Sequence, residues 1–305
     1  MSLKELLCLR KLHSSEEGTL RVRFFKYLES LNKKPRTRSI NELHPSEIAK
    51  GFCPREWCIL QSHIDLYNFH VPPKTRIAFD VGSALHEMMQ NYLADMGVLI
   101  GYYRCKECRH VTQSIGKKPG VCSKCDCHVF EYKEITIVNK LWNIFGHCDG
   151  LVEMDGKLYL FEFKTSRSDV LRGMVKPLDW HVNQARIYMW SYNIMRQEQR
   201  ELYEQNTSDI TEETYYFYRR PIEGMIIWYL DKNYSDIVDF NGSIIRFDME
   251  AETYIESLKV QILKCLDFIK TGVLPEPCCS KRNLAEGLAF MGSSGSKCRV
   301  SDYCV

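Results

Sequence analysis

The stretch GHCDGLVEMDGKLYLFEFKTS, residues 146–166, constrains the fold more than any other part of the chain. Asp155-Gly156 is the turn signature of a two-residue β-hairpin loop, with strand-forming residues on both sides. Such a loop makes Met154 and Lys157 the first facing pair. Counting outward with no bulge, Asp149 lies in the first strand and faces Glu162 at an open position, where the two chains come closest. Glu162 and Lys164 project from one face of the second strand, and Phe161 and Phe163 point the other way, into a core. Like charges directly opposed destabilise a sheet. A bound cation turns the repulsion into attraction, so the pattern predicts a cation site with a lysine beside it. A solvated hairpin fits poorly, because Tyr159, Leu160, Phe161 and Phe163 are too apolar for an exposed strand.

A second signal is YRCKECRHVTQSIGKKPGVCSKCDCHVF, residues 103–130. Cys105-x-x-Cys108 and Cys122-x-x-Cys125 are two knuckles separated by a loop with Gly116, Pro119 and Gly120, a spacing that predicts one tetrahedral zinc. Cys127 and His128 are alternative ligands. Four thiolates leave no open position, so the expected zinc is structural.

The remaining cysteines are scattered. Cys53 precedes Pro54-Arg55, and Cys278, Cys279, Cys298 and Cys304 lie in a Gly- and Ser-rich tail with little apolar content. A ligated metal would hold such a tail in place. GSSGSK in the tail lacks the spacing of a phosphate-binding loop and reads as a connector.

Between these signals the chain reads as alternating helices and strands, with no internal repeat. FDVGSALHEMMQNYLADMG is a helix closed by Gly97, DWHVNQARIYMWSYNIMRQ a second, and Ala251 to Thr271 a third, stopped by Pro275 and Pro277. GMIIWYLDKNY and GSIIRFDME read as further strands. The domain expectation is a helical and basic segment over 1–45, a main domain over 46–305 that carries the insert at 103–130, and a cysteine-rich tail over 275–305.

No stretch approaches the roughly 18 apolar residues of a membrane span. The first residues, MSLKELLCLRKLHSSEEG, have no signal-peptide profile, and fourteen cysteines in a chain without one point to metal sites before disulfides, so a cytoplasmic location is expected. The net charge is only +2, so a nucleic-acid partner must be held by local patches. Candidates are Lys33, Lys34, Arg36 and Arg38, then Arg167, Arg172 and Lys176, then Arg219 and Arg220.

Taken in order, Gly82-x-x-x-His86, Gly146-x-x-Asp149, Glu162-x-Lys164 and Gln184-x-x-x-Tyr188 resemble the PD-(D/E)XK nucleases of the RecB-like branch. Cys53-Pro54-Arg55 and the terminal cysteines are similar to its iron-sulfur members, the CRISPR-associated adaptation nucleases and the AddB nuclease domain. The resemblance spans roughly Ser46 to Cys304. It implies an α/β restriction-endonuclease-like core, a mixed central sheet flanked by helices. It implies Mg2+ or Mn2+ held by His86, Asp149, Glu162 and the Phe163 carbonyl, with Lys164 as the catalytic cation and Gln184 and Tyr188 orienting it and the DNA backbone. A 4Fe-4S cluster is implied on Cys53, Cys298, Cys304 and either Cys278 or Cys279, with Cys58 as an alternative to Cys53. An insertion, Ser280 to Lys297, departs from the family pattern, and the family does not account for the zinc insert. The implied activity is 5′→3′ exonucleolysis of single-stranded DNA in recombination and repair, with any helicase or recombination partner on a separate chain. Prespacer trimming in CRISPR adaptation is an alternative, and a non-catalytic nucleic-acid-binding module built on the ribbon is another.

Overall fold

A computed structural model describes residues 20–33, 41–63, 70–114, 118–205, 219–233, 236–240, 244–277 and 300. Cys278, Cys279, Cys298 and Cys304, with Lys34, Arg36 and Arg38, lie outside the described residues.

The hairpin closes as its turn demands. Asp155 and Gly156 both adopt positive φ, 50° and 73°, the backbone of a tight two-residue loop. Met154 faces Lys157, and the ladder runs out to Gly150 opposite Phe161 between β6 (Gly150–Met154) and β7 (Lys157–Ser166). There it stops, and Asp149 does not pair with Glu162. Asp149 sits at a break between β5 (Ile144–Cys148) and β6, because β5 leaves the hairpin to pair with β4 (Ile135–Asn139). The Gln90 side-chain amide donates to the Asp149 carbonyl at 2.9 Å and holds the break open.

β7 is central. It pairs antiparallel with β6 and parallel with β8 (Ile222–Asp231), so the sheet is mixed. A parallel neighbour requires a crossover, and the chain supplies α6 (Asp179–Glu204) between β7 and β8. β10 (Ile244–Ile245) and β9 (Asp236–Val238) pair with β8, and β1 (Leu99–Cys105) pairs with β6. β1 also carries β2 (Val111–Ser114) and β3 (Phe130–Lys133).

Both faces of β7 are covered, which is why its sequence is nearly continuous apolar. Tyr159, Phe161 and Phe163 pack with Met89, Leu93 and Ala94 of α4 (Pro73–Asp95). Leu158 and Leu160 pack with Ala185, Tyr188, Met189 and Tyr192 of α6. A third cluster joins α2 (Pro45–Ile48), α3 (Pro54–Ser62), α6 and α7 (Met249–Thr271), with Trp57, Cys58, Ile187, Leu258 and Cys265 at its centre. α7 ends as its sequence dictates: Asp248 caps the start by accepting from the Ala251 N–H, and Gly272 closes the end at φ 72°. α1 (Leu20–Ser30) buries only Leu28. α5 (Ser168–Leu171) is a single turn after β7. Among the described residues no helix is long and apolar enough to cross a membrane.

Of the expected strand GSIIRFDME, Gly242 and Ser243 lie outside the described residues, and the rest is strand only at β10, because Asp248 caps α7 three residues later. The basic patches are partly neutralised. Arg167 pairs with Asp169, Lys176 with Asp179, and Arg220 with Glu153.

Candidate functional site

Gly146 permits the packing beneath the site. A Cβ built there meets the Tyr188 ring at 2.9 Å and Pro45 at 3.0 Å, so a side chain would displace Tyr188. The Tyr188 hydroxyl donates to the His147 carbonyl at 2.6 Å, and Tyr188 is buried. One turn earlier on the same helix face, the Gln184 amide donates to Glu162 Oε1 at 3.2 Å. Its carbonyl oxygen accepts from Lys164 Nζ, also at 3.2 Å. Lys164 in turn hydrogen-bonds Glu162 Oε1. Alternation along β7 puts these two side chains on the α6 face, as the pattern predicts.

Asp149 reaches the same place from the strand break. Its Oδ2 accepts from the Phe163 backbone N–H at 2.7 Å, and its Oδ1 lies 3.2 Å from His86 Nδ1. The Phe163 N–H thus positions the acid, and its carbonyl remains the cation ligand that the resemblance implies. His86 packs edge-on against Phe163, with ring centroids 5.2 Å apart.

Burial, with the neighbouring Asp149 charge, pushes Glu162 up to about 7 against the pull of Lys164 and His86. For His86, burial opposes the charged form, but the Asp149 hydrogen bond and the Asp149 and Glu162 charges outweigh it and raise the pKa. Lys164 is raised too, because the Glu162 and Asp149 charges overcome its desolvation. Glu162 Oε2 is buried and has no hydrogen-bond partner among the described residues. An orphaned carboxylate oxygen is costly, and a cation is the ligand that would satisfy it. The ligand atoms of His86, Asp149 and Glu162 do not all lie within 4.8 Å of one another.

Several neighbours escaped sequence reading. Gln90 lies one turn beyond His86 on the same face, a spacing that could have flagged it. Glu134 follows from the pairing of Ile135 with Cys148, which sets it beside Asp149. Burial and the Asp149 charge raise its pKa. His181 is held down to about 3 by burial and by the Lys164 and Lys50 charges, and its Nδ1 lies 2.6 Å from the Tyr229 hydroxyl.

The cysteine insert forms a second centre. Cys105, Cys108, Cys122 and Cys125 bring their sulfurs within 4.8 Å of one another, the one such group among the described residues. Cys105–Cys125 and Cys108–Cys122 are each 3.5 Å apart. A tetrahedral ion with metal–sulfur bonds of about 2.3 Å needs sulfurs about 3.8 Å apart, so the group is already shaped for a metal such as zinc or iron. The two knuckles repeat one backbone geometry. Cys105 N–H donates to the His110 carbonyl and Cys122 N–H to the Cys127 carbonyl, both at 2.9 Å, and Arg109 and Asp126 take positive φ at matching places. The Cys127 sulfur engages the Val129 backbone, and His128 lies 2.7 Å from the Gly120 carbonyl, so neither joins the group. The insert leans on α4: Lys106 bonds Glu87 at 2.7 Å and Lys118 bonds Asn91 at 3.1 Å.

Away from this group, the Cys53 sulfur caps α3 by accepting from the Glu56 N–H at 3.4 Å. Arg55 donates to the Pro275 carbonyl at 2.6 Å, which ties the chain just before Cys278 to the helix that follows Cys53.

Neither a protein-family model nor a curated protein matches the chain. Among solved structures, one described as the crystal structure of SSO0001 aligns over 81% of this chain and 87% of its own, at 17% identity and a TM-score of 0.39. The molecule is a mixed α/β domain with a four-cysteine group that could hold a metal ion.

Proposed function

We propose that this chain is a Mg2+- or Mn2+-dependent deoxyribonuclease of the PD-(D/E)XK, RecB-like kind, acting on single-stranded DNA as a 5′→3′ exonuclease in recombination and repair. The observation that carries this reading is the buried, unpartnered Glu162 Oε2 beside Asp149, His86 and a buried Lys164. In this reading Asp149, Glu162 and His86 hold the divalent cation. When bound, the cation neutralises charge on the scissile phosphate and acidifies a water. Lys164 presents its ammonium to the charge that develops on the phosphate. Gln184 holds Lys164 and Glu162 in one geometry, and Tyr188 fixes the helix turn that carries Gln184. The insert's metal is zinc in a structural role, and a helicase or recombination partner is a separate chain. The experiment is cleavage of 5′- and 3′-labelled single strands with and without Mn2+. Intact DNA under all conditions sinks the assignment and leaves a non-catalytic module.

Cation binding and protons should compete at this site. Glu162 sits near 7 and His86 above its ordinary 6.5, so both hold protons at mildly acidic pH. Mn2+ affinity should therefore climb through pH 6 to about 7, with protons released on binding. Without cation the sign is opposite: an acid raised by folding stabilises the fold at low pH, and that contribution fades as pH rises from about 4.5 toward 7. Calorimetry in buffers of different ionisation enthalpy measures the released protons, and Glu162→Gln should lower their number. Affinity flat across this range would remove the proposed ligands.

In this reading Cys53, Cys298, Cys304 and one of Cys278 or Cys279 hold a 4Fe-4S cluster. The Arg55–Pro275 bond supports it by holding the chain before Cys278 beside the Cys53 helix. Anaerobic protein should be brown, with absorbance near about 400 nm. Cys298→Ala should lose iron and lower the melting temperature while Mn2+ still binds. Colourless, iron-free anaerobic protein of unchanged stability would refute the cluster.

A further inference from the structure

α4 turns one face toward a cleft of about 580 Å³ beside His86. That size lies within the range of small-ligand sites. Phe79, Gly82 and His86 share this face at helical spacing, and Thr165 at the end of β7 and Lys232 just after β8 form the opposite wall. Phe79 is 61% exposed although α4 buries Met89, Leu93 and Ala94 against the sheet. Burying a phenylalanine stabilises a fold by about 1.5–3 kcal/mol, so this ring forgoes that gain at the edge of an open cleft. Gly82 leaves the floor open: a Cβ there would meet only the Thr165 hydroxyl, at 4.0 Å. Among the described residues no carboxylate pairs with Lys232. The two acids of the cleft lie elsewhere: Glu87 is bonded to Lys106, and Glu134 stands at the Asp149 end. A phosphate is therefore favoured at the Lys232 end.

We propose that this cleft is a single-strand subsite in which Phe79 stacks on an unpaired base and Lys232 holds a neighbouring phosphate. The inference rests on the nuclease reading and names what selects its substrate. Phe79 precedes His86 by seven residues, about 10.5 Å along a helix. That equals about three stacked nucleotides at 3.4 Å each, so the gripped base lies a few nucleotides from the cation ligands. A duplex base has both faces covered by its neighbours, whereas a single-stranded base offers a face to an aromatic ring.

The test is anisotropy with the full chain in EDTA, where no cleavage occurs. The probes are a labelled oligo(dT) strand, the matching duplex, and strands carrying 2-aminopurine at successive positions. Phe79→Ala should bind the single strand about 5- to 150-fold more weakly, the span of one base–aromatic stack, and Phe79→Trp should restore binding. 2-Aminopurine should be quenched at one position by the wild-type chain and not by Phe79→Ala. Lys232→Ala should reduce the salt slope by about 0.7, one lost phosphate on a single strand. If Phe79→Ala binds and quenches like wild type, or duplex binds as tightly as single strand, the subsite is overturned and the nuclease reading stands. If the wild-type chain binds no DNA, both fall together.

Discussion

Glu162→Ala is expected to lower cleavage of single-stranded DNA by at least about two to three orders of magnitude, the cost of removing one preorganised charge-stabilising group. Lys164→Ala and Asp149→Ala should fall in the same range, with DNA binding in EDTA largely intact. In the proposed mechanism the three groups act as a unit. Glu162 Oε1 accepts from both Lys164 and Gln184, and Asp149 is held by Phe163 and His86. The Glu162→Ala, Lys164→Ala pair should therefore be hardly slower than either single change, because effects within a catalytic unit are not additive. Single-turnover rates on an end-labelled strand measure this. Near-normal cleavage by any one of the three would sink the site.

Cys105→Ser combined with Cys122→Ser is expected to abolish zinc binding, from about one ion per chain to none, and to unfold the ribbon. Structural zinc contributes about 10–16 kcal/mol to the folding of small peptides, as much as the whole stability of an ordinary domain. Tyr103, Cys105, Cys122 and Phe130 are the ribbon's buried contribution to the core beside α4, and two of these four supply sulfurs of the metal group. The damage should spread inward. β1 runs from the ribbon into the main sheet, where Leu99 and Ile100 pair with Val152 and Leu151. Lys106 and Lys118 also tether the ribbon to α4, the helix that carries His86. Elemental analysis and thermal melting give the two readouts. Full zinc content after both substitutions would move the metal elsewhere.

Local patterns made much of the molecule legible. Asp155-Gly156 set the register from Met154–Lys157 out to Gly150–Phe161, because a two-residue loop leaves one choice of pairing. Alternation assigned Glu162 and Lys164 to one face and Phe161 and Phe163 to the other. Two Cys-x-x-Cys pairs announced a four-sulfur group, since knuckle geometry is a property of a few consecutive residues.

What the chain's order could not show depends on contacts between distant residues. Asp149 left the ladder because β5 found a partner in β4 and Gln90 seized the Asp149 carbonyl, 59 positions away in the chain. Glu134 and His181 joined the site only when sheet pairing and helix packing brought them there. Phe79 and Lys232 line one cleft because α4 packs beside the end of β7, where Thr165 and Lys232 form the facing wall. Periodicity reports which face a side chain occupies on its own element. Which elements then meet, and so which charges share one low-dielectric pocket, was decided by the burial of the apolar faces that pack α4 and α6 on opposite sides of β7.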